Sequence, residues 1–230
     1  MQKLPWCNGD PPIYCLERRE SDIADGSGWL SERERAVLDG LRVPKRRADW
    51  RLGRWTAKCA MAAYLELEED PATLASIEIR AAASGAPKAF RRGWPAGPHI
   101  SLSHSHGAGF CAVAAGTPIG CDVERIEARS EAFFSDYFTA REQALAAGTA
   151  NKNRDCLLTL LWSGKESVMK VLECGLRADT RRVTVIPTTP LPPDDGWHTF
   201  GADAEAGHFT GWWRQAGGWM WTIAIPLAVR

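Results

Sequence analysis

The feature that most constrains this 230-residue chain is a hydrophobic periodicity that passes from helical to extended twice, in the same order. From Lys45 to about Glu68, ahead of Pro71, the apolar residues Leu52, Trp55, Cys59 and Ala62 recur at helical spacing. Strand-like runs follow at 74-LASIEIR-80, 99-HISLSHS-105, 109-GFCAVAA-115 and 119-IGCDVE-124, separated by Gly and Pro. The order then restarts, with helical segments over Glu131–Leu145 and Asp155–Glu173 and strands at Val183–Ile186, 208-HFTGWWRQ-215 and 219-WMWTIAIPLAV-229. Helices followed by runs of strands define an α+β class. Two similar α+β halves, 1–117 and 118–230, meeting near Gly116–Pro118 and related by a pseudo-twofold, are expected, although no repeat is visible at the level of residues.

Smaller signals sharpen the outline. A strand at Ile13–Leu16 precedes the loop SDIADGSG, and Ser31 caps a helix whose first turn carries Glu32 and Glu34, where the dipole favours negative charge. Near the C-terminus, Ala216-Gly217-Gly218 reads as a hairpin turn, with Trp219, Trp221 and Ile223 alternating onto one buried face.

Lys plus Arg and Asp plus Glu both number 28, so the formal net charge is zero and no global field calls for nucleic acid or membrane. The seven cysteines form no C-x-x-C pair and mostly sit in apolar stretches, so they read as reduced, buried thiols of a cytoplasmic protein. The N-terminal MQKLPWCNGD has no apolar core of a signal peptide, and no stretch approaches the ~18 apolar residues of a membrane span.

Chemistry concentrates in two segments, 119-IGCDVERIE-127 and 161-LWSGKESVMK-170. On a strand Asp122 and Glu124 share a face, and a helical Glu166 adds a third carboxylate oxygen. Such an all-oxygen set suits magnesium, which keeps room for water and phosphate. Gly120 permits close backbone approach beside Asp122. Read alone, Asp122 and Glu124 also suit the solvated face of an edge strand, and Glu166 with Lys170 an ordinary i,i+4 ion pair. Arg47, Arg51, Arg54 and Lys58 form a cationic stripe on the first long helix, equally compatible with a phosphate site and a solvated face.

Taken together and in order, 45-KRRADWRLGR-54, 84-SGAPKAF-90 with 99-HISLSHS-105, 119-IGCDVERI-126 and 162-WSGKESVMK-170 resemble the 4'-phosphopantetheinyl transferases of the larger, monomeric, surfactin-type class, which activate nonribosomal peptide and polyketide synthases. The resemblance implies two α+β halves with the active site at their interface, the first binding coenzyme A and the second a metal. It implies transfer of 4'-phosphopantetheine from coenzyme A, as co-substrate, to a serine of an apo acyl or peptidyl carrier protein, releasing 3',5'-ADP with Mg2+ or Mn2+. Asp122, Glu124 and Glu166 match the acidic metal positions and Lys170 the lysine facing the pyrophosphate. Ser103 and His104 match the pair that touches the phosphates. Arg46 and Arg54 match the arginines near the 3'-phosphate, with Arg47 beside them. Glu142, in 138-FTAREQA-144, sits where several members carry a candidate base. The family's G-K-P element is G-A-P-K here, which moves its lysine to Lys88.

The implied reaction is a displacement at phosphorus that needs charge neutralisation and an oriented hydroxyl. Glu142, Glu166 or a metal-bound water could take the serine proton. Two other readings stay open. His104 and His106, sharing a strand face near His99, could join Asp122 in a His/carboxylate hydrolase or oxygenase site, or the chain could bind coenzyme A without catalysis.

Overall fold

Two 21-residue helices organise the protein, and each lies in a unit of its own. The computed structural model describes residues 1–4, 12–175, 178–189, 191 and 195–227. Its contacts divide the chain into two compact units, Met1–Thr117 and Pro118–Arg230.

In the first unit, α1 (Glu32–Gly40) is followed by the long α2 (Pro44–Tyr64). Pro44 opens α2, where its missing N–H would have had no helical partner. Helix α2 packs on an antiparallel sheet ordered β1 (Gln2–Lys3), β2 (Ile13–Arg19), β7 (Ala108–Ala114) and β6 (His99–Ser105). A short helix α3 (Pro71–Ser76) leads into a second sheet of β3 (Ile77–Ala81), β4 (Pro87–Arg91) and β5 (Trp94–Pro95). Trp29, Leu30, Trp55, Ala60, Ile77 and Cys111 lie in its core.

The second unit begins with β8 (Gly120–Arg125), continues through α4 (Glu131–Tyr137), α5 (Ala140–Ala147) and the long α6 (Asn151–Val171), and ends in β9 (Val183–Pro187), β10 (His198–Ala204), β11 (Gly207–Ala216) and β12 (Trp219–Pro226). Its antiparallel sheet runs β8-β12-β11-β10-β9. The β11–β12 hairpin turns at Gly217 and Gly218, with φ of 55° and 80°, the left-handed pair that a tight two-residue turn requires. Leu158, Leu161, Phe200, Trp213 and Met220 fill the core against α6.

Three expectations are revised. Residues 74–76 finish a helix rather than start a strand, because Asp70 Oδ1 accepts from the N–H groups of Ala72 and Thr73 at 2.9 and 3.1 Å and nucleates a turn behind Pro71. The helix expected over Glu131–Leu145 breaks at Phe138, where Thr139 caps a new helix and Glu142 completes its capping box. Strands β4 and β10 were not anticipated, since β4 has a single buried residue and β10 carries Gly201 and Asp203 in an otherwise apolar alternation. Cys7 and residues 228–229 of the expected last strand lie outside the described residues. None of the described cysteines is in a disulfide; five are buried and Cys174 is partly so. No described helix is long and apolar enough to cross a membrane.

A repeat at the level of residues does exist, and folding makes it visible. Trp55-Thr56-Ala57-Lys58 on α2 corresponds to Trp162-Ser163-Gly164-Lys165 on α6. Both lysine side chains are 0% exposed, and each meets a capping-box glutamate, Lys58 with Glu34 at 2.5 Å and Lys165 with Glu142 at 2.8 Å. The same two glutamates accept from the backbone N–H groups of Ile79 and Val185, at 3.0 and 2.9 Å. Each lysine also donates to a backbone carbonyl ahead of the next strand, Leu74 at 2.9 Å and Thr180 at 3.0 Å. The two α+β units are therefore built around one device: helix cap, buried ion pair and strand start tied together.

Candidate active site

Strand β8 and helix α6 assemble the acidic cluster. Gly120 has no room for a side chain, because a Cβ there would lie 1.8 Å from the Ser167 carbonyl oxygen. Its absence lets β8 press against α6. Two residues on, Asp122 is 1% exposed and stands opposite Thr222 in the β8–β12 register. Lys170 Nζ donates to Asp122 Oδ1 at 2.8 Å and to the Cys121 carbonyl at 3.0 Å, and lies 3.7 Å from Glu166 Oε2. Ser163 Oγ donates to the other Asp122 oxygen at 2.8 Å. Glu124 pairs with Arg129 at 3.3 Å, and Arg129 in turn lies 5.2 Å over the Phe133 ring.

The three carboxylates act on one another. Burial first, and then the Asp122 charge, push Glu124 up to about 7 even with Arg129 beside it, and push Glu166 up to about 8. Burial acts to lower Lys170, but Asp122 and then Glu166 outweigh it and hold the ammonium above its ordinary value. Three carboxylates thus face two cations, Lys170 and Arg129. Among the described residues, however, no three His, Cys, Asp or Glu side chains converge on one point at metal-ligand spacing; Lys170 holds the positive charge beside Asp122 and Glu166. The all-carboxylate donor set suits a hard divalent cation, and Asp122, Glu124 and Glu166 are the residues that would hold it.

In the first unit, Val43, Lys45, Arg46, Asp49, Trp50 and His104 line a cavity of about 410 Å³. The cationic stripe on α2 is divided. Arg47 donates to the Leu38 carbonyl at the end of α1 at 2.5 Å, and Arg51 lies 5.4 Å over Trp29. Arg54 sits 4.8 Å over the Trp50 ring, its guanidinium held below its ordinary value by burial against the opposing charge of Glu34. Lys58 is buried in its pair with Glu34. Of the residues matched to a phosphate site, Arg46 and His104 line the cavity; Arg47, Arg54, Lys88 and Ser103 do not. Lys88 stands opposite Arg80 on the second sheet, and Ser103 is buried on β6.

Residues 118–222, nearly all of the second unit and including the whole acidic cluster, match the family model described as the 4'-phosphopantetheinyl transferase superfamily. The 4'-phosphopantetheinyl transferase HetI of Nostoc sp. (strain PCC 7120 / SAG 25.82 / UTEX 2576) is 25% identical over 178 residues, spanning 76% of this chain and 73% of that protein. Among solved structures, the chain is similar to a holo-(acyl-carrier-protein) synthase from Bacillus anthracis str. Ames in complex with CoA (3',5'-ADP), at 22% identity, 45% of this chain, 96% of that one and a TM-score of 0.37. It is also similar to Thermotoga maritima holo-[acyl-carrier-protein] synthase, at 16% identity, 54% and 73% coverage and a TM-score of 0.33.

Two of the expected site residues, Glu142 of the transferase reading and His106 of the His/carboxylate reading, are placed elsewhere. Glu142 is 1% exposed and committed to Lys165, to the Thr139 N–H at 2.8 Å and to the Val185 N–H. A carboxylate so enclosed holds the fold and has no open lone pair to offer a substrate hydroxyl. His106 does not share a strand face with His104, because β6 ends at Ser105 and His106 sits in the following turn at φ 45°. The His/carboxylate metal site loses its geometric basis. Conversely, sequence reasoning passed over Ser163, Ser167 and Thr222, whose linked hydroxyls lead to Asp122. A signal existed: Ser163, Glu166, Ser167 and Lys170 form a polar i, i+3, i+4, i+7 stripe on the otherwise apolar α6.

Proposed function

We propose that this protein, a monomeric cytoplasmic transferase of the larger class, moves the 4'-phosphopantetheine group of coenzyme A onto a serine of an apo acyl or peptidyl carrier protein and releases 3',5'-ADP. The observation that carries the reading is the Asp122, Glu124, Glu166 and Lys170 cluster, which lies inside the segment matched to the superfamily and gathers three carboxylates beside one lysine. Supporting it is the Arg46 and Lys45 cavity of the first unit, suited to an anionic nucleotide end.

The new bond joins the carrier serine oxygen to the phosphorus bearing the pantetheine arm, as the bond from that phosphorus to the 3',5'-ADP oxygen breaks. Glu166, whose side chain is 17% exposed where Glu142 is sealed, takes the serine proton. Lys170, 28% exposed at its side chain, donates to a pyrophosphate oxygen and offsets charge on the leaving group. Magnesium or manganese, when bound by Asp122, Glu124 and Glu166, would supply further charge neutralisation on the phosphates. Arg46, with His104 in the same cavity, holds the 3'-phosphate.

Incubating the protein with coenzyme A, Mg2+ and a panel of apo carrier proteins, then reading intact masses, tests this directly. Gain of one phosphopantetheine on a carrier, abolished by chelator and by Asp122→Ala, is the expected result. Coenzyme A binding with no transfer to any carrier, unaffected by chelator, would favour a non-catalytic coenzyme A module.

A further inference from the structure

Behind Asp122 runs a file of three hydroxyls, none of which the proposed reaction uses. Ser163 Oγ donates to Asp122 Oδ2 at 2.8 Å. The Ser163 and Thr222 hydroxyls are 2.8 Å apart, and those of Thr222 and Ser167 are 2.7 Å apart. Ser163, Ser167 and Thr222 are all fully buried. Proton counting sets the direction. An ionised carboxylate only accepts, and each hydroxyl has one proton to give. Ser163 gives its proton to Asp122, so Thr222 must donate to Ser163, and Ser167 must then donate to Thr222. The alternative acceptor for Ser167, the Thr222 carbonyl, is farther away at 3.3 Å. All three donors therefore point toward Asp122, and in a dry interior such a chain polarises cooperatively.

The placement of these residues is as telling as their contacts. Ser163 and Ser167 are one turn apart on α6, while Thr222 on β12 is the register partner of Asp122 on β8. The hydroxyl file thus locks the carboxylate to the helix and to the neighbouring strand at once. With Oδ2 anchored, Oδ1 is the oxygen turned toward Lys170, itself beside Glu166. A core that needed only filling would have been served by Ala and Val at these positions without three hydroxyls to satisfy.

We infer that Ser163, Thr222 and Ser167 are positioning residues that orient Asp122 for a divalent cation, acting as a directional relay rather than touching substrate. The inference rests on the cation-assisted reading of Asp122 proposed above. Groups that hydrogen-bond a ligating carboxylate from behind typically shift metal affinity about 10–100-fold when removed. Threonine keeps the hydroxyl, and the corresponding turn of α2 carries Thr56, whose Oγ1 donates to the Leu52 carbonyl at 2.8 Å.

The test compares wild type, Ser163→Ala, Ser163→Thr and Thr222→Val. Mg2+ is titrated twice, once reading the thermal midpoint of the protein alone and once reading phosphopantetheine transfer at saturating coenzyme A. Ser163→Ala and Thr222→Val are expected to raise the half-saturating Mg2+ about tenfold or more in both titrations, to lower kcat, and to leave KM for coenzyme A within about twofold. Ser163→Thr is expected to restore the wild-type Mg2+ midpoint. Alanine and valine variants that melt earlier yet keep the wild-type Mg2+ midpoint would overturn the inference, because hydroxyls that merely fill the core change stability without changing cation affinity. A wild type whose midpoint and turnover ignore Mg2+ would remove the cation reading itself, and the relay with it.

Discussion

Two glutamates three residues from a helix-starting threonine or one turn from a lysine look alike on paper, yet Glu142 and Glu166 have opposite surroundings. Glu142 is sealed against Lys165 and two backbone N–H groups, whereas Glu166 faces Lys170 with 17% of its side chain open. Glu166→Gln is expected to lower kcat by at least about 10²-fold with the unfolding midpoint unchanged. Glu142→Gln is expected to lower that midpoint while keeping kcat per folded molecule within about tenfold. A folded but inactive Glu142→Gln protein would return the base role to Glu142. The acidic cluster also predicts a pH dependence. Glu124 and Glu166 are raised in the folded state above the ordinary 4.5, to about 7 and about 8. The native state therefore binds more protons than the unfolded chain in that window, and stability falls as pH rises through it. In chelator the thermal midpoint should drop between about pH 5 and pH 8, and Mg2+ should flatten the drop by displacing those protons. A midpoint that climbs across the window in chelator would contradict this account of the charge balance.

At the scale of elements, the repeated cap, ion pair and strand start explains how each long helix finds its place. Lys58 and Lys165 sit mid-helix with no exposed surface, so each depends wholly on its glutamate and the backbone carbonyls around it. Removing one partner strands a buried charge. Lys165→Met and Lys58→Met are each expected to cost about 3–5 kcal/mol in urea unfolding, with the double change Glu142→Gln/Lys165→Met recovering part of the loss. A penalty under about 1 kcal/mol would mean that the pair is incidental to the fold. These elements also show what a sequence conveys poorly. The periodicity of α2, α6 and the β11–β12 hairpin was legible because long apolar repeats and a Gly-Gly turn are local signals. The break at Phe138 and the helical turn at Leu74 were not, because a Thr139 or Asp70 cap competes with continuing periodicity by a single hydrogen bond or two.

For the whole molecule, equal numbers of acidic and basic residues leave no net field to draw in a charged carrier protein. The kcat/KM for a carrier domain is therefore expected to change less than about tenfold between ~50 and ~500 mM salt. A fall of several orders of magnitude would reveal a concentrated basic docking patch instead. Sequence alone determined the class of elements, their doubled order, and the presence of Asp122, Glu124, Glu166 and Lys170 on one strand and one helix, since periods of two and 3.6 assign side chains to faces without reference to the rest of the chain. Only the tertiary structure decided which member of each look-alike set does what. It committed Arg47 to the end of α1 and Arg54 to Trp50 while leaving Arg46 on a cavity, it buried Glu142 while opening Glu166, and it set three hydroxyls behind Asp122. The physical reason is that a face says only which way a side chain points. Burial, pairing and charge depend on what arrives opposite it, and Asp122 meets Ser163 and Lys170 across 41 and 48 residues of chain.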